Sequence, residues 1–217
     1  MPAFRLEKDK IAFPPAQFAD NDGFLAEGGD ITAEWVLEGH KNGFFSWNHP
    51  MRYPNWYSPD PRTVMFPRRL EVPEAIASVI AKSGFEVKFD TDLEKVMKFI
   101  QAIENARPMN HRWLTGKMIL AYLDLEKKGH TFSVSVYRDG EPVGGFFGTK
   151  VNRVYFGEFI NGTEKYAAEY ALIALSEKLK DTEVIMIDLQ KPTCETAYLG
   201  HDEISRNEYL HLLKENI

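Results

Sequence analysis

The stretch from residue 131 to residue 189 leaves this chain few choices of fold. Thr131-Phe132-Ser133-Val134-Ser135-Val136-Tyr137 alternates with the period of two that marks a strand. Asp139-Gly140 follows, a dipeptide that readily takes the backbone angles of a tight hairpin turn. Residues 143–150 and 154–159 read as two more strands, joined through Asn152-Arg153. A long helix is expected from about 163 to 180. Residues 184–189 then form an apolar, β-branched run of the kind buried on both faces of a sheet. Three antiparallel strands, a crossover helix and a parallel strand are the expected result.

Upstream the composition changes. Residues 11–67 hold seven of the twelve prolines and three of the four tryptophans. Proline removes a helix donor and biases its predecessor toward extended geometry, so long helices are excluded there. One short helix is expected at 32–38, capped by Thr32 or Asp30 and stopped by Gly39. After Pro73 the pattern is regular. A helix is expected over 75–82, a strand over 85–89, and a helix capped by Asp90 or Thr91 with Leu93, Val96, Met97, Ile100 and Ile103 on one face. Thr115 caps another that ends at Gly129, and 206–214 reads as a closing helix. The expected class is α+β: a small proline- and aromatic-rich N-terminal domain over 1–66, then a domain over 67–217. The strand order of the latter is the core arrangement of GNAT-type acyltransferases, which suggests acyl transfer only by analogy of fold.

Several chemistries are disfavoured. Cys194 is the single cysteine, so an internal disulfide framework is excluded and a reducing compartment suits the chain. The charged start and the lack of an apolar run of about 20 residues give the expectation of a cytoplasmic protein without a membrane partner; a monomer is expected. The six histidines (40, 49, 111, 130, 201 and 211) show no metal-ligand spacing, and neither metal nor cofactor is expected. Gly157-x4-Gly162-Thr163 lacks the lysine of a phosphate loop. Phe159-Ile160-Asn161-Gly162-Thr163-Glu164, where a coenzyme A loop belongs, has one glycine and an acid at the helix start. No Gly-x-Ser-x-Gly elbow is present, and Cys194 has no base beside it. A net charge of −6 argues against a chain that wraps nucleic acid along its length.

Longer motifs are more specific. They include Phe24-Leu25-Ala26-Glu27-Gly28-Gly29-Asp30-Ile31, Gly43-Phe44-Phe45-Ser46-Trp47 and Trp56-Tyr57-Ser58-Pro59-Asp60-Pro61-Arg62. Arg112-Trp113-Leu114-Thr115, Gly129-His130-Thr131-Phe132-Ser133-Val134, Pro142-Val143-Gly144-Gly145-Phe146-Phe147-Gly148, Phe156-Gly157-Glu158 and Ile187-Asp188-Leu189-Gln190 continue the series, and Leu199-Gly200 with Ile204-Ser205-Arg206 ends it. In this order the motifs resemble the bacterial leucyl/phenylalanyl-tRNA–protein transferase family. The resemblance implies a two-domain enzyme with a GNAT-type C-terminal domain and no cofactor. Its members transfer Leu, Phe or sometimes Met from aminoacyl-tRNA to a protein with N-terminal Arg or Lys. The product carries a destabilising N-terminus read by the N-degron pathway.

That resemblance assigns roles. Asp188 and Gln190, two apart on a strand, share a sheet face and are expected to reach one cleft. There Asp188 would hold the acceptor ammonium and help accept its proton, while Gln190 orients the reacting groups; internal pairing of Asp188 is the other reading. Glu158 would bind the cationic acceptor, or form a surface ion pair. Trp47 and Trp113 would stack on the terminal adenosine of tRNA, or be buried at the domain junction as Trp56 is expected to be. Phe146, Phe147, Phe159 and Tyr170 are candidate walls of a donor side-chain pocket, and Arg68, Arg69 and Lys82 candidate tRNA-backbone contacts.

The chain departs from the family at Phe159-Ile160-Asn161-Gly162, at Tyr166-Ala167-Ala168-Glu169, at Thr193 and Glu195, and at Glu71 and Glu74. A noncatalytic binder of aminoacyl-tRNA or of N-termini, and a coenzyme A-dependent acyltransferase, are the competing readings. The acidity suits a cationic acceptor and a local grip on the 3′ end of tRNA.

Overall fold

The computed structural model describes residues 4–47, 53–108, 112–193, 196–197 and 199–217. His49, His111, Cys194 and Glu195 lie outside the described residues. The proline-rich segment builds a four-stranded sheet from β1 (Phe4–Leu6), β2 (Phe24–Gly28), β3 (Phe45–Trp47) and β4 (Asn55–Tyr57), in the order β1-β2-β4-β3. Its aromatic richness fills a core. Trp56 is buried, its indole N–H donates to the Gly28 carbonyl at 3.1 Å, and its ring meets Phe13 and Trp35.

Helix α1 (Ala33–Lys41) connects β2 to β3 and is capped by Thr32, whose hydroxyl accepts from the Trp35 N–H at 3.4 Å. Gly39 does not stop it. A Cβ there would come within 2.7 Å of the Trp56 ring, so glycine serves close packing. The turn falls instead at Gly43, with φ +84°.

The second sheet has seven strands: β5 (Arg62–Met65), β6 (Glu86–Phe89), β7 (Thr131–Arg138), β8 (Glu141–Val151), β9 (Val154–Gly162), β10 (Met186–Gln190) and β11 (Asp202–Ile204). Their order is β11-β5-β10-β9-β8-β7-β6. β7, β8 and β9 pair antiparallel, α5 (Ala167–Leu179) crosses over, and β10 returns parallel to β9, as the sequence implies. Helices α2 (Glu74–Lys82), α3 (Leu93–Asn105), α4 (Gly116–Lys127) and α6 (Arg206–Asn216) complete the described elements.

Three details differ from expectation. Asp92, not Asp90 or Thr91, caps α3, its carboxylate accepting from the Lys95 N–H at 2.9 Å. Asp90 has φ +51° and accepts from Ser133 N–H instead. The crossover helix begins later than 163, because β9 continues through Gly162 and Tyr166 adopts a left-handed conformation at the helix start. Finally, β5 precedes the expected boundary at 66/67 yet lies inside the larger sheet, antiparallel to both β10 and β11. Proline content marks the four-stranded sheet but not the membership of β5.

One hydrophobic cluster joins Leu25, Trp35 and Trp56 to Ile100, Tyr122 and Phe147. A second joins Phe146 to Leu172 and Leu189. Strand alternation along β8 thus sends neighbouring phenylalanines into different cores.

Candidate active site

β9 and β10 pair from Met186 to Asp188 and then part. Past that point the register of β10 against β5 shifts between Asp188 and Gln190, and Gln190 takes φ +65°. A cavity of about 530 Å³ opens there. Gly157, Glu158, Phe159 and Ile160 of β9 line one side, and Leu189, Gln190 and Lys191 another. β3 contributes Ser46 and Trp47, and β8 contributes Phe146. Glu104 and Arg107 from the end of α3 close it together with Trp113 and Asn161.

Of the residues singled out in the sequence, Gln190, Glu158, Trp47, Trp113, Phe146 and Phe159 come together in this cavity. The Gln190 amide donates from Nε2 to the Gly157 carbonyl at 2.9 Å, bridging the parted strands. Trp47 and Trp113 stack with centroids 5.9 Å apart and planes inclined by 29°. That spacing admits no third ring between them, so a base would stack on an outer face. Lys191 reaches over Trp47, 5.3 Å from the ring centre, and donates to the Asp22 carbonyl.

Asp188 is the main correction. It is fully buried and does not line the cavity. Its Oδ1 accepts from Arg62 Nε at 2.8 Å and from the Gln190 N–H at 2.9 Å. Its Oδ2 accepts from Arg62 Nη2 at 2.6 Å and from the Tyr209 hydroxyl at 2.8 Å. Burial alone would raise its pKa, but the guanidinium of Arg62 and the hydrogen bonds outweigh it and hold the carboxylate below its ordinary range. The expectation that residues two apart share one cleft fails because the register shift turns Gln190 out of the alternation. Gln190 faces the cavity, and Asp188 anchors its backbone from behind.

Phe147 is also absent from the cavity wall; it is buried edge-on to Tyr122 and stacked beneath Phe159. Tyr170 sits on α5 against Phe85, away from the cavity. Arg68 donates to the Lys180 and Thr182 carbonyls and, with Arg69, lines a separate pocket of about 180 Å³. Lys82 lines a third hollow beside Arg138, Glu164 and Lys165. Glu164 is paired with Arg138 at 2.6 Å and does not reach the main cavity.

Sequence reasoning missed Arg62, Tyr209, Arg107 and His40. Arg107 Nη2 donates to Asn161 Oδ1 at 3.0 Å, so the altered segment after Glu158 is tied to the turn that follows α3. Glu104 beside it is buried and its pKa is raised by burial, although the Leu114 and Trp113 N–H groups partly offset this. His40, buried on α1, places Nε2 at 2.6 Å from Glu158 Oε1 and Nδ1 at 2.7 Å from Thr149 Oγ1. None of these partnerships has a local sequence signal, since the partners lie tens of residues apart. Among the described residues no three His, Cys, Asp or Glu side chains gather as metal ligands, and no helix is long and apolar enough to cross a membrane.

Several known proteins resemble this chain over most of its length. Residues 64–214 match the family model of leucyl/phenylalanyl-tRNA protein transferases. A leucyl/phenylalanyl-tRNA–protein transferase of Syntrophobacter fumaroxidans is 37% identical over 217 residues, covering 100% of this chain and 92% of that protein. The transferase of Pseudomonas entomophila is 36% identical over 214 residues, covering 98% and 94%. Among solved structures, a GCN5-related N-acetyltransferase from Kribbella flavida aligns with a TM-score of 0.43 at 12% identity, over 80% of this chain and 60% of that one. The chain belongs to the leucyl/phenylalanyl-tRNA–protein transferase family of aminoacyltransferases.

Proposed function

We propose that this protein transfers leucine, phenylalanine or, as a further donor, methionine from aminoacyl-tRNA to the N-terminal Arg or Lys of an acceptor protein, marking it for degradation. The observation that carries the reading is one cavity lined by an aromatic pair, by apolar side chains and by the polar groups of Glu158 and Gln190. The reaction is aminolysis of an ester that is already activated. An α-amine has a pKa of about 7.7–8.0, so a useful fraction is neutral near pH 7 and positioning can supply much of the rate.

The terminal adenosine stacks on the outer face of the Trp47–Trp113 pair, a contact worth about 1–3 kcal/mol. Phe146, Phe159, Ile160 and Leu189 receive the donor side chain, with no polar demand on it. The Gln190 Nε2 is committed to Gly157, which leaves its amide oxygen to accept from the acceptor amine. Glu158 supplies the negative charge for the cationic N-terminus. Asp188 acts one step back, as a positioning residue that fixes Gln190 through its N–H. Gripping mainly the 3′ end, the protein binds tRNA with modest salt dependence.

The test is incubation with labelled Leu-tRNA or Phe-tRNA and an Arg-initiated protein. Label appears on the acceptor N-terminus if the reading is right. Absence of transfer across a panel of charged tRNAs overturns it.

A further inference from the structure

Glu158 is paired with a buried histidine, His40, that the reaction as described does not use. The His40 and Glu158 side chains are 3% and 4% exposed. Four elements hold them: α1 carries His40, β9 carries Glu158, β8 supplies Thr149 to Nδ1, and α4 brings Tyr122. The imidazole is stacked on Phe156 with centroids 4.7 Å apart and planes within 4°. Glu158 also borders the reaction cavity.

A ring nitrogen and a carboxylate oxygen at 2.6 Å belong together only with a proton between them, because two bare lone pairs at that separation repel. Yet no ring N–H among the described residues is aligned on Glu158 Oε1, Ser46 Oγ beside it lacks a partner, and the Tyr122 hydroxyl interacts with the carboxylate from α4. A buried acceptor without a donor is costly. When Nδ1–H donates to the Thr149 hydroxyl, Nε2 is left open toward Glu158. In that tautomer the contact has room for one further proton.

The surrounding charges do not cancel the charge of the Glu158 carboxylate. Arg62 on β5 faces Glu158, but its guanidinium is held bidentate by Asp188 of β10 and contacted by Tyr209 of α6. Tyr122 of α4 is kept neutral, its hydroxyl pushed well above its ordinary value by burial and by the Glu158 carboxylate. On α1 itself, Lys41 is paired with Glu38.

We propose that His40 stores the proton shed by the acceptor amine, acting on the substrate through Glu158. The proposal rests on the transfer reaction above. An α-ammonium that becomes an amide nitrogen loses two protons. As the C–N bond forms and the ester C–O bond breaks, one proton goes to the departing ribose oxygen of the tRNA. The other is taken by the Glu158 carboxylate and held in the Nε2···Oε1 contact until it exchanges with solvent. His40 is thus a positioning residue that enables Glu158 to act as the base.

Single-turnover transfer from Leu-tRNA to an Arg-initiated peptide tests this with His40→Gln, which keeps hydrogen-bonding capacity but takes no proton. The expected loss in rate is about 10- to 100-fold near pH 7. It shrinks to within about threefold near pH 9, where α-amines are already free bases. KM for the aminoacyl-tRNA stays within about twofold. Thr149→Val, which removes the Nδ1 partner without touching Glu158, shows a smaller loss with the same pH dependence and serves should the first variant fail to fold. A competent wild type with a pH-independent loss in the variants, or with no loss near pH 7, overturns the proton store alone. A wild type that transfers nothing overturns the reaction and the store with it.

Discussion

Replacing Asp188 by asparagine separates a structural role from a chemical one. The carboxylate receives four hydrogen bonds, two on each oxygen, from Arg62, the Gln190 N–H and Tyr209. An amide has one acceptor oxygen and one donor NH2. Either way it is turned, two of the four donors meet a donor. Arg62 stays charged and fully buried, with one bond to the amide oxygen, the Gly43 carbonyl at 3.3 Å and the Tyr209 oxygen left to it. Removing one partner of a buried pair costs about 3–5 kcal/mol. At about 2–4 °C per kcal/mol for a chain of this size, Tm falls by roughly 6–20 °C. Thermal or urea unfolding at neutral pH reads the stability, and single-turnover transfer reads the chemistry. Transfer falls as well, because the Gln190 backbone loses its anchor. In the double variant Arg62→Met with Asp188→Leu, much of the stability returns but transfer does not. An asparagine variant with unchanged Tm and abolished transfer refutes the reasoning and returns Asp188 to the reaction itself.

Other consequences are as direct. Trp47→Ala removes one ring of the stacked pair, and by the stacking energy of about 1–3 kcal/mol the KM for aminoacyl-tRNA rises roughly 5- to 150-fold, with the acceptor KM unchanged, in a steady-state titration of both substrates. Gly157→Ala puts a methyl 2.7 Å from the Phe146 ring and 3.3 Å from the Asp188 carbonyl, which costs about 1–3 kcal/mol by urea unfolding and narrows the cavity against phenylalanine more than leucine. The pKa of Asp188 is lower in the folded chain than unfolded, so its stabilisation is complete above the unfolded carboxylate value of about 3.9 and is lost as pH falls through the folded value. A stability–pH titration therefore shows an acid limb that Asp188→Asn flattens.

Local periodicity carried much of the fold. The β7–β9 hairpins are legible because alternation and the Asp139-Gly140 turn agree, and α4 because Thr115 caps it where expected. β5 is not legible: Arg62, Thr63, Val64 and Met65 are all buried, so no alternation separates an inner from an outer face, and arginine and threonine argue against burial. β11 has three residues, too few for any period. At the site, the family resemblance placed Gln190, Glu158 and both tryptophans at one cavity. It misplaced Asp188 because a register shift is a property of two strands, and one strand's sequence does not display it. It missed His40 and Arg62 because a buried charge is understood only with its partner, and Thr149 and Asp188 lie 109 and 126 residues away.

The position of β5 between β10 and β11 also sets a timetable. Arg62 leaves the ribosome 126 residues before Asp188. At about 5–20 residues per second, that is roughly 6–25 s during which the strand lacks both neighbours and the guanidinium its counter-charge. The four-stranded sheet and the β6–β9 strands can form while the chain is still growing, but β5 docks only after β10 emerges. A chain cut after residue 66 retains Arg62 on a strand with no partner on either edge. Separate expression of the two halves expected from proline content therefore leaves Arg62 on one half and Asp188 on the other.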